Sequence, residues 1–217
     1  MAPEPEILAR GPWQPGDVRV RWRRRAFEPD AAASDEADRN LRALGERGSP
    51  THDGSAARMV GYEQTAAGLA LELQPTRWSL RLSRTDARDS LSVLCVVRDA
   101  QGGWLAGRRA GWVASWAGRW ALGAGGSVEV GEHPVQTLER ELEEEWGVRP
   151  ARLLAEALLR PANRMVMFVG QAWLPPGAAV TPDHEHDEFS WWPAEIGRWP
   201  SEADAELRAI AALLSGA

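Results

Sequence analysis

The stretch from Gly125 to Val148, GGSVEVGEHPVQTLERELEEEWGV, constrains the fold more than any other part of the chain. A glycine loop runs into a segment that Pro134 can open, because a first-turn proline loses no helical hydrogen bond, and that Gly147 can close. Between them the sequence predicts about three and a half turns of helix. Val135, Leu138, Leu142 and Trp146 fall on one stripe, the pattern of a helix packed on a sheet. Glu145 lies beside that stripe and Glu141 and Glu144 continue round the same flank, while Glu139, Arg140 and Glu143 lie elsewhere. Like charges three or four residues apart cost an isolated helix a few tenths of a kcal/mol each, so folding alone does not ask for this edge. A hard divalent cation reverses the sign. Mg²⁺ takes oxygen ligands, keeps several waters and bridges to phosphates, which suits a partly open row of carboxylates.

The spacing reads Gly126, five residues, Glu132, seven residues, Arg140-Glu141-Leu142, one residue, Glu144-Glu145, one residue, Gly147-Val148. It resembles the Nudix box of the Nudix hydrolase family at every defining position, and the resemblance extends over the region from Leu91 to Pro193. It implies an α/β chain with the Nudix fold, a mixed β-sheet sandwiched between α-helices. It also implies a metal-dependent hydrolase using Mg²⁺ or Mn²⁺, with Glu141, Glu144 and Glu145 as metal ligands and Glu132 close by. Gly125 and Gly126 then let the backbone approach a substrate phosphate, and Arg140 is a strut that ion-pairs within the box and orients a glutamate. The family often takes a further carboxylate from the region of Glu185 or Glu188, as ligand or general base; Glu141 and Glu144 are equally open as the base. One departure stands out: Ala124 occupies the place before the glycine pair where the family usually has proline.

Composition narrows the partners. A net charge of -6 gives no drive toward nucleic acid or an anionic membrane surface. No apolar run approaches the length needed to span a bilayer, and no leader-like segment opens the chain, so a cytoplasmic protein is expected. Cys95, the only cysteine, sits in SVLCVV and reads as a buried strand residue. All 25 basic residues are arginine, so arginine supplies whatever cationic contacts the site needs.

Along the chain, residues 1–15 are rich in proline and glycine and predict an irregular leading segment. Val18, Val20 and Trp22 alternate with arginines as in a half-buried strand whose arginine row faces out. Ser34 is the predicted cap of a short helix ending at Gly45, and strands follow between Ala57 and Leu82 with Leu69, Leu71 and Leu73 alternating. This small α+β extension, residues 1–87, carries a His52-Asp53-Gly54 turn and a Trp78-Ser-Leu-Arg81 segment similar to the N-terminal region of UDP-sugar pyrophosphatase-type Nudix proteins. A polar break at Arg84 to Asp89 divides it from the Nudix domain, residues 88–217.

Leu91 to Val97 predicts a strand covered on both faces, turned by Gln101-Gly102-Gly103 into Trp104 to Arg109. By resemblance the end of that second strand brings Arg108 or Arg109 to the substrate. Trp112 and Trp116 are candidates to stack a nucleobase, whereas Trp120 reads as core. Strands are expected over Ala151 to Leu159, Arg164 to Trp173 and Phe189 to Trp192, with a loop from Pro175 to Asp183. His184 and His186 lack the further soft ligands a zinc site needs. Ser201 with Asp204 opens an amphipathic helix, free to cover the sheet or a second copy of the chain in a homodimer.

These features lead to a Nudix hydrolase that cleaves, by metal-activated water, the diphosphate linkage of a small nucleoside diphosphate joined to another group, such as UDP-glucose. The rival is a catalytically silent Nudix-fold protein that binds a nucleotide as a regulator, whose usual mark is a lost box carboxylate; here all are present. An isopentenyl-diphosphate isomerase shares the box but needs a catalytic cysteine, and Cys95 is placed in a buried strand.

Overall fold

The computed structural model describes residues 5–49 and 52–215. Most of its strands join one sheet: β1 (Glu6–Trp13), β5 (Leu91–Arg98), β6 (Trp104–Arg109), β7 (Trp120–Leu122), β8 (Arg152–Arg160), β9 (Val166–Trp173) and β10 (His186–Trp192). The order is β1-β8-β9-β5-β6-β10, with β7 paired to β6. β5 and β9 are parallel and the remaining neighbours antiparallel, so the sheet is mixed. A second sheet holds β2 (Val18–Trp22), β3 (Ser55–Thr65) and β4 (Gly68–Arg77) in the order β2-β4-β3.

Three helices complete the α/β architecture: α1 (Ala31–Glu46), α2 (Pro134–Trp146) and α3 (Ala205–Ser215). β5 explains the sandwich. Its Val93, Cys95 and Val97 meet the α2 stripe of Val135, Leu138, Leu142 and Trp146, while Val96 faces the cluster holding Leu207, Ile210 and Leu214 of α3. A strand with both faces covered must be apolar throughout. The first of these clusters also takes in Val18, Leu69, Leu71 and Leu73, so the small sheet shares a core with α2 and the large one. Cys95 is fully buried, and burial pushes its thiol well above the ordinary range.

Four expectations from sequence need correction. Residues 5–15 of the supposedly irregular leading segment carry β1, an edge strand on β8; residues 1–4 lie outside the described residues. Pro12 falls where the β1–β8 register shifts, so its missing N–H costs the ladder nothing. Helix α1 opens earlier than Ser34, at Ala31, where Asp30 accepts from Ala33 N at 2.8 Å, and it runs past Gly45. Helix α3 is capped by Asp204, which accepts from Leu207 N at 3.0 Å, and not by Ser201, whose hydroxyl turns to Glu202. β10 starts at His186 and not Phe189. Among the described residues no helix is long and apolar enough to cross a membrane.

Candidate active site

Local chemistry fixes α2 at both ends. His133 caps it, its Nδ1 accepting from Val135 N at 3.2 Å, which leaves Nε2 to donate to Val18 O at 3.0 Å. Gly147 ends it with φ of 66°, a conformation that favours glycine. With the apolar stripe held on the sheet, Glu141 and Glu145 are carried inward to 9% and 4% exposure, while Glu144 stays exposed.

The glycine loop lies against these two buried carboxylates. Gly125 N donates to Glu145 Oε1 at 3.2 Å. At Gly126 a Cβ would collide with the carboxylate of Glu141, so any larger residue there must displace that side chain. Arg140 ties the group together: Nε donates to Glu132 at 2.9 Å, Nη1 to Glu141 at 2.8 Å and Glu144 at 3.0 Å, and Nη2 to Ser127 O at 3.2 Å. Across the cleft Arg109 donates to Glu145 at 3.3 Å and Glu185 at 2.7 Å.

Burial sets the charge states. It pushes the Glu141 carboxyl up to about 7, against the pull of Arg140, and raises Glu145 well above the usual carboxylate range despite Arg109. Burial also lowers His186, aided by the charge of Arg109, so its imidazole is neutral at pH 7. Its Nδ1–H then donates to Asp183 at 3.1 Å and Nε2 accepts from Arg109 at 3.4 Å, with the ring packed on Trp146. Arg140, although burial opposes its charge, is held above its ordinary value by the Glu132 hydrogen bond and the nearby glutamates.

These groups face an open cleft of about 350 Å³. Of the residues singled out from sequence, Gly125, Gly126, Arg109, Trp112, Arg140, Glu141, Glu144, Glu145 and Glu185 line it. Others do not. Arg108 and Glu188 pair with each other at 3.2 Å, half-exposed, on the opposite face from Arg109 and His186: side chains alternate along β6, and the register shift between His186 and Glu188 turns Glu188 to the face of Arg108. Trp116 turns away at φ of 61° and packs with Arg119 against the α3 cluster. Glu132 is enclosed by Arg140 and the Thr137 hydroxyl, which donates at 2.8 Å. His184 stacks on Trp112 and His186 points inward, so the two histidines part company.

Sequence reasoning passed over Ser127, Asp183, His186, His52, Trp78 and Arg81 as site residues. His52, Trp78 and Arg81 come from the segment before the box and line the far wall of the cleft, His52 stacked on Trp78. The signal for them was the pair of motifs in the N-terminal region, whose position in space nothing local could give.

The family model described as NUDIX domain matches residues 89–213. This chain belongs to the NUDIX family. Among solved structures it is similar to the MutT protein of Methanosarcina mazei Go1, at 23% identity and TM-score 0.46, covering 58% of this chain and 93% of that one. The NUDIX domain of Shewanella oneidensis NrtR, complexed with ADP ribose, gives 22% and 0.44 over 57% of this chain and 88% of that one. The C. elegans Ap4A hydrolase gives 20% and 0.40, covering 58% and 99%. No curated protein matches the chain.

NUDIX enzymes use divalent cations, and the donor set here suits one: carboxylate oxygens only, two of them buried at a cost that a cation would offset. Among the described residues no three such groups yet converge as a metal cage. Arg140 pairs with Glu141 and Glu144, and Arg109 with Glu145.

Proposed function

We propose that this NUDIX chain is a Mg²⁺- or Mn²⁺-dependent hydrolase that cleaves the diphosphate linkage of a nucleoside diphosphate joined to a second group. The observation that carries the reading is the cleft in which buried Glu141 and Glu145 meet the glycine loop beneath Arg109 and Arg81.

Glu141, Glu144 and Glu145 would hold the cation, which when bound draws charge from the diphosphate and acidifies the attacking water. The protein's own residues do the rest. Arg140 keeps Glu141 and Glu144 on one edge, and the missing side chain at Gly126 lets the Glu141 carboxylate lie against the glycine loop. Glu141, with its proton affinity near neutrality, Glu144 and Glu185 are the carboxylates in reach to accept the proton from water. Glu132 braces Arg140 from outside the cleft. Glu188 is left out of the chemistry because it shares the outer face with Arg108.

A nucleotide sugar such as UDP-glucose is the first substrate to try. The two N-terminal motifs that resemble UDP-sugar pyrophosphatases, His52 to Gly54 and Trp78 to Arg81, both contribute to the cleft wall, and Trp112 offers an indole for the base.

The test is a turnover screen with Mg²⁺ or Mn²⁺ against nucleotide sugars, dinucleoside polyphosphates, ADP-ribose, NADH, CoA and nucleoside triphosphates, with Glu144→Gln and Glu145→Gln as controls. Metal-dependent cleavage of one class that both variants abolish is expected. Stabilisation of the fold by one compound without cleavage of any would replace the hydrolase with a nucleotide-binding regulator.

A further inference from the structure

The geometry points to Arg81 as a phosphate-binding residue of the cleft, contributed by the segment that precedes the family domain and reaching the substrate diphosphate from beside Ser127 of the glycine loop. The inference rests on the reading of this cleft as a diphosphate site and adds a residue that the box does not contain.

Arg81 stands out by what it lacks. Nearly every arginine around the site is matched to a carboxylate: Arg140 to Glu132, Glu141 and Glu144, and Arg109 to Glu145 and Glu185. Among the described residues Arg81 pairs with none, and its one hydrogen bond runs from Nη1 to the hydroxyl of Ser127 in the glycine loop. Nε and Nη2 are left to donate elsewhere. The guanidinium lies over the indole of Trp78, 5.5 Å from the ring centroid, and both residues line the cleft with Glu141.

Burial pulls the pKa of Arg81 down, and the opposing attraction of Glu141 makes up only part of the loss. A partly buried cation with spare donors facing an open cleft is an anion receptor awaiting its anion. The planar fork fits two oxygens of a phosphate, a match that an ammonium lacks. Ser127 fixes where the fork points. Its carbonyl accepts from Arg140 while its hydroxyl accepts from Arg81, so one residue sets the distance between the box and the second cation.

Binding is measured by calorimetry on the full chain with Mg²⁺ and methylenediphosphonate, whose P–C–P bridge water cannot cleave. Arg81→Gln is expected to weaken binding by about ten- to hundred-fold, the range for a charge-assisted hydrogen bond, with the ligand-free melting temperature little changed. Arg81→Lys, which keeps the charge and loses the fork, is expected to fall between. Binding of the Gln variant within twofold of wild type overturns the assignment, as does a wild type that does not bind the probe. If the Gln variant does not fold, the Lys variant decides: binding equal to wild type overturns the two-point contact. Failure of the hydrolase reading shows up differently, as a wild type that binds the probe through Arg81 but turns over no diphosphate.

Discussion

Glu141→Gln is expected to stabilise the metal-free protein while abolishing its turnover. A carboxyl whose folded-state pKa is raised binds its proton more tightly in the folded chain than in the unfolded one. The folded state therefore loses stability as pH rises above about 4.5, and the loss is complete above about 7. The gap between those values, at 1.36 kcal/mol per pH unit, corresponds to about 3 kcal/mol. The attraction of Arg140 is already contained in that net cost, since it is one of the opposing influences on Glu141. Glutamine reproduces the protonated shape, and its side-chain oxygen still accepts from Arg140. In EDTA at pH 8.5 the variant should melt higher by about 6 to 12 °C, using the 2 to 4 °C per kcal/mol of a chain this size. At pH 5 the gain should shrink to a small fraction of that. Mg²⁺ should raise the wild-type melting temperature at pH 8.5 and do so less for the variant, since one ligand is gone. A variant less stable than wild type at pH 8.5 without metal, or an equal gain at both pH values, would refute the claim that burial strains this carboxylate.

Gly126→Ala drives a methyl group into the Glu141 carboxylate, which must swing away. Turnover should fall about a hundredfold, the cost of an ångström-scale displacement of a reacting group, with circular dichroism unchanged. Arg108→Ala should leave activity within twofold and stability within about 0.5 kcal/mol, because its pair with Glu188 is half-exposed. Arg109→Ala should cost up to about 3 to 5 kcal/mol in urea unfolding at pH 8.5, since it breaks the pairs with buried Glu145 and with Glu185; equal effects from the two arginines would contradict the assignment of faces. Leu138→Ala, fully buried against Gly170, should cost about 2 to 5 kcal/mol with an unchanged denaturant slope.

The parts legible in the sequence were those decided within a few residues. Pro134, Gly147 and the stripe between them place α2 to the residue, because caps and periodicity are local. The start of α1 was placed too late because Ser34 is a good cap by itself; Asp30 takes the role, and burial of Ala33 and Ala37 against Leu80 goes with the longer helix. Choosing between Arg108 and Arg109 needed the phase of β6, and phase is set by pairing with β10, far along the chain. β1 was hidden by its own composition: Gly11 and Pro12 read as a turn until β8 is known to lie beside them.

The box alone understates the site for the same reason, since the bonds that hold its loop come from far along the chain. The loop from Ala124 to Glu129 is laced on one side to β5, where Val93 N donates to Gly126 O at 2.8 Å and Cys95 N to Ala124 O at 2.7 Å. On the other side Ala57 N of β3 donates to Val128 O at 2.8 Å, and Ala56 bridges to Glu129. The loop is thus strung between two sheets, one of which, β2-β4-β3, lies wholly outside the region that the family model matches. A glycine pair without the usual proline, Ala124 standing in its place, is held by these bonds from both sides. Any substitution that loosens β3 from Val128 should therefore disturb the packing of Gly126 on Glu141, and with it turnover, without touching a box residue. Under the proposed function the N-terminal sheet thus supports the site from outside the box, and Arg81, in the turn that follows β4, lines the cleft itself and reaches Ser127 of the same loop.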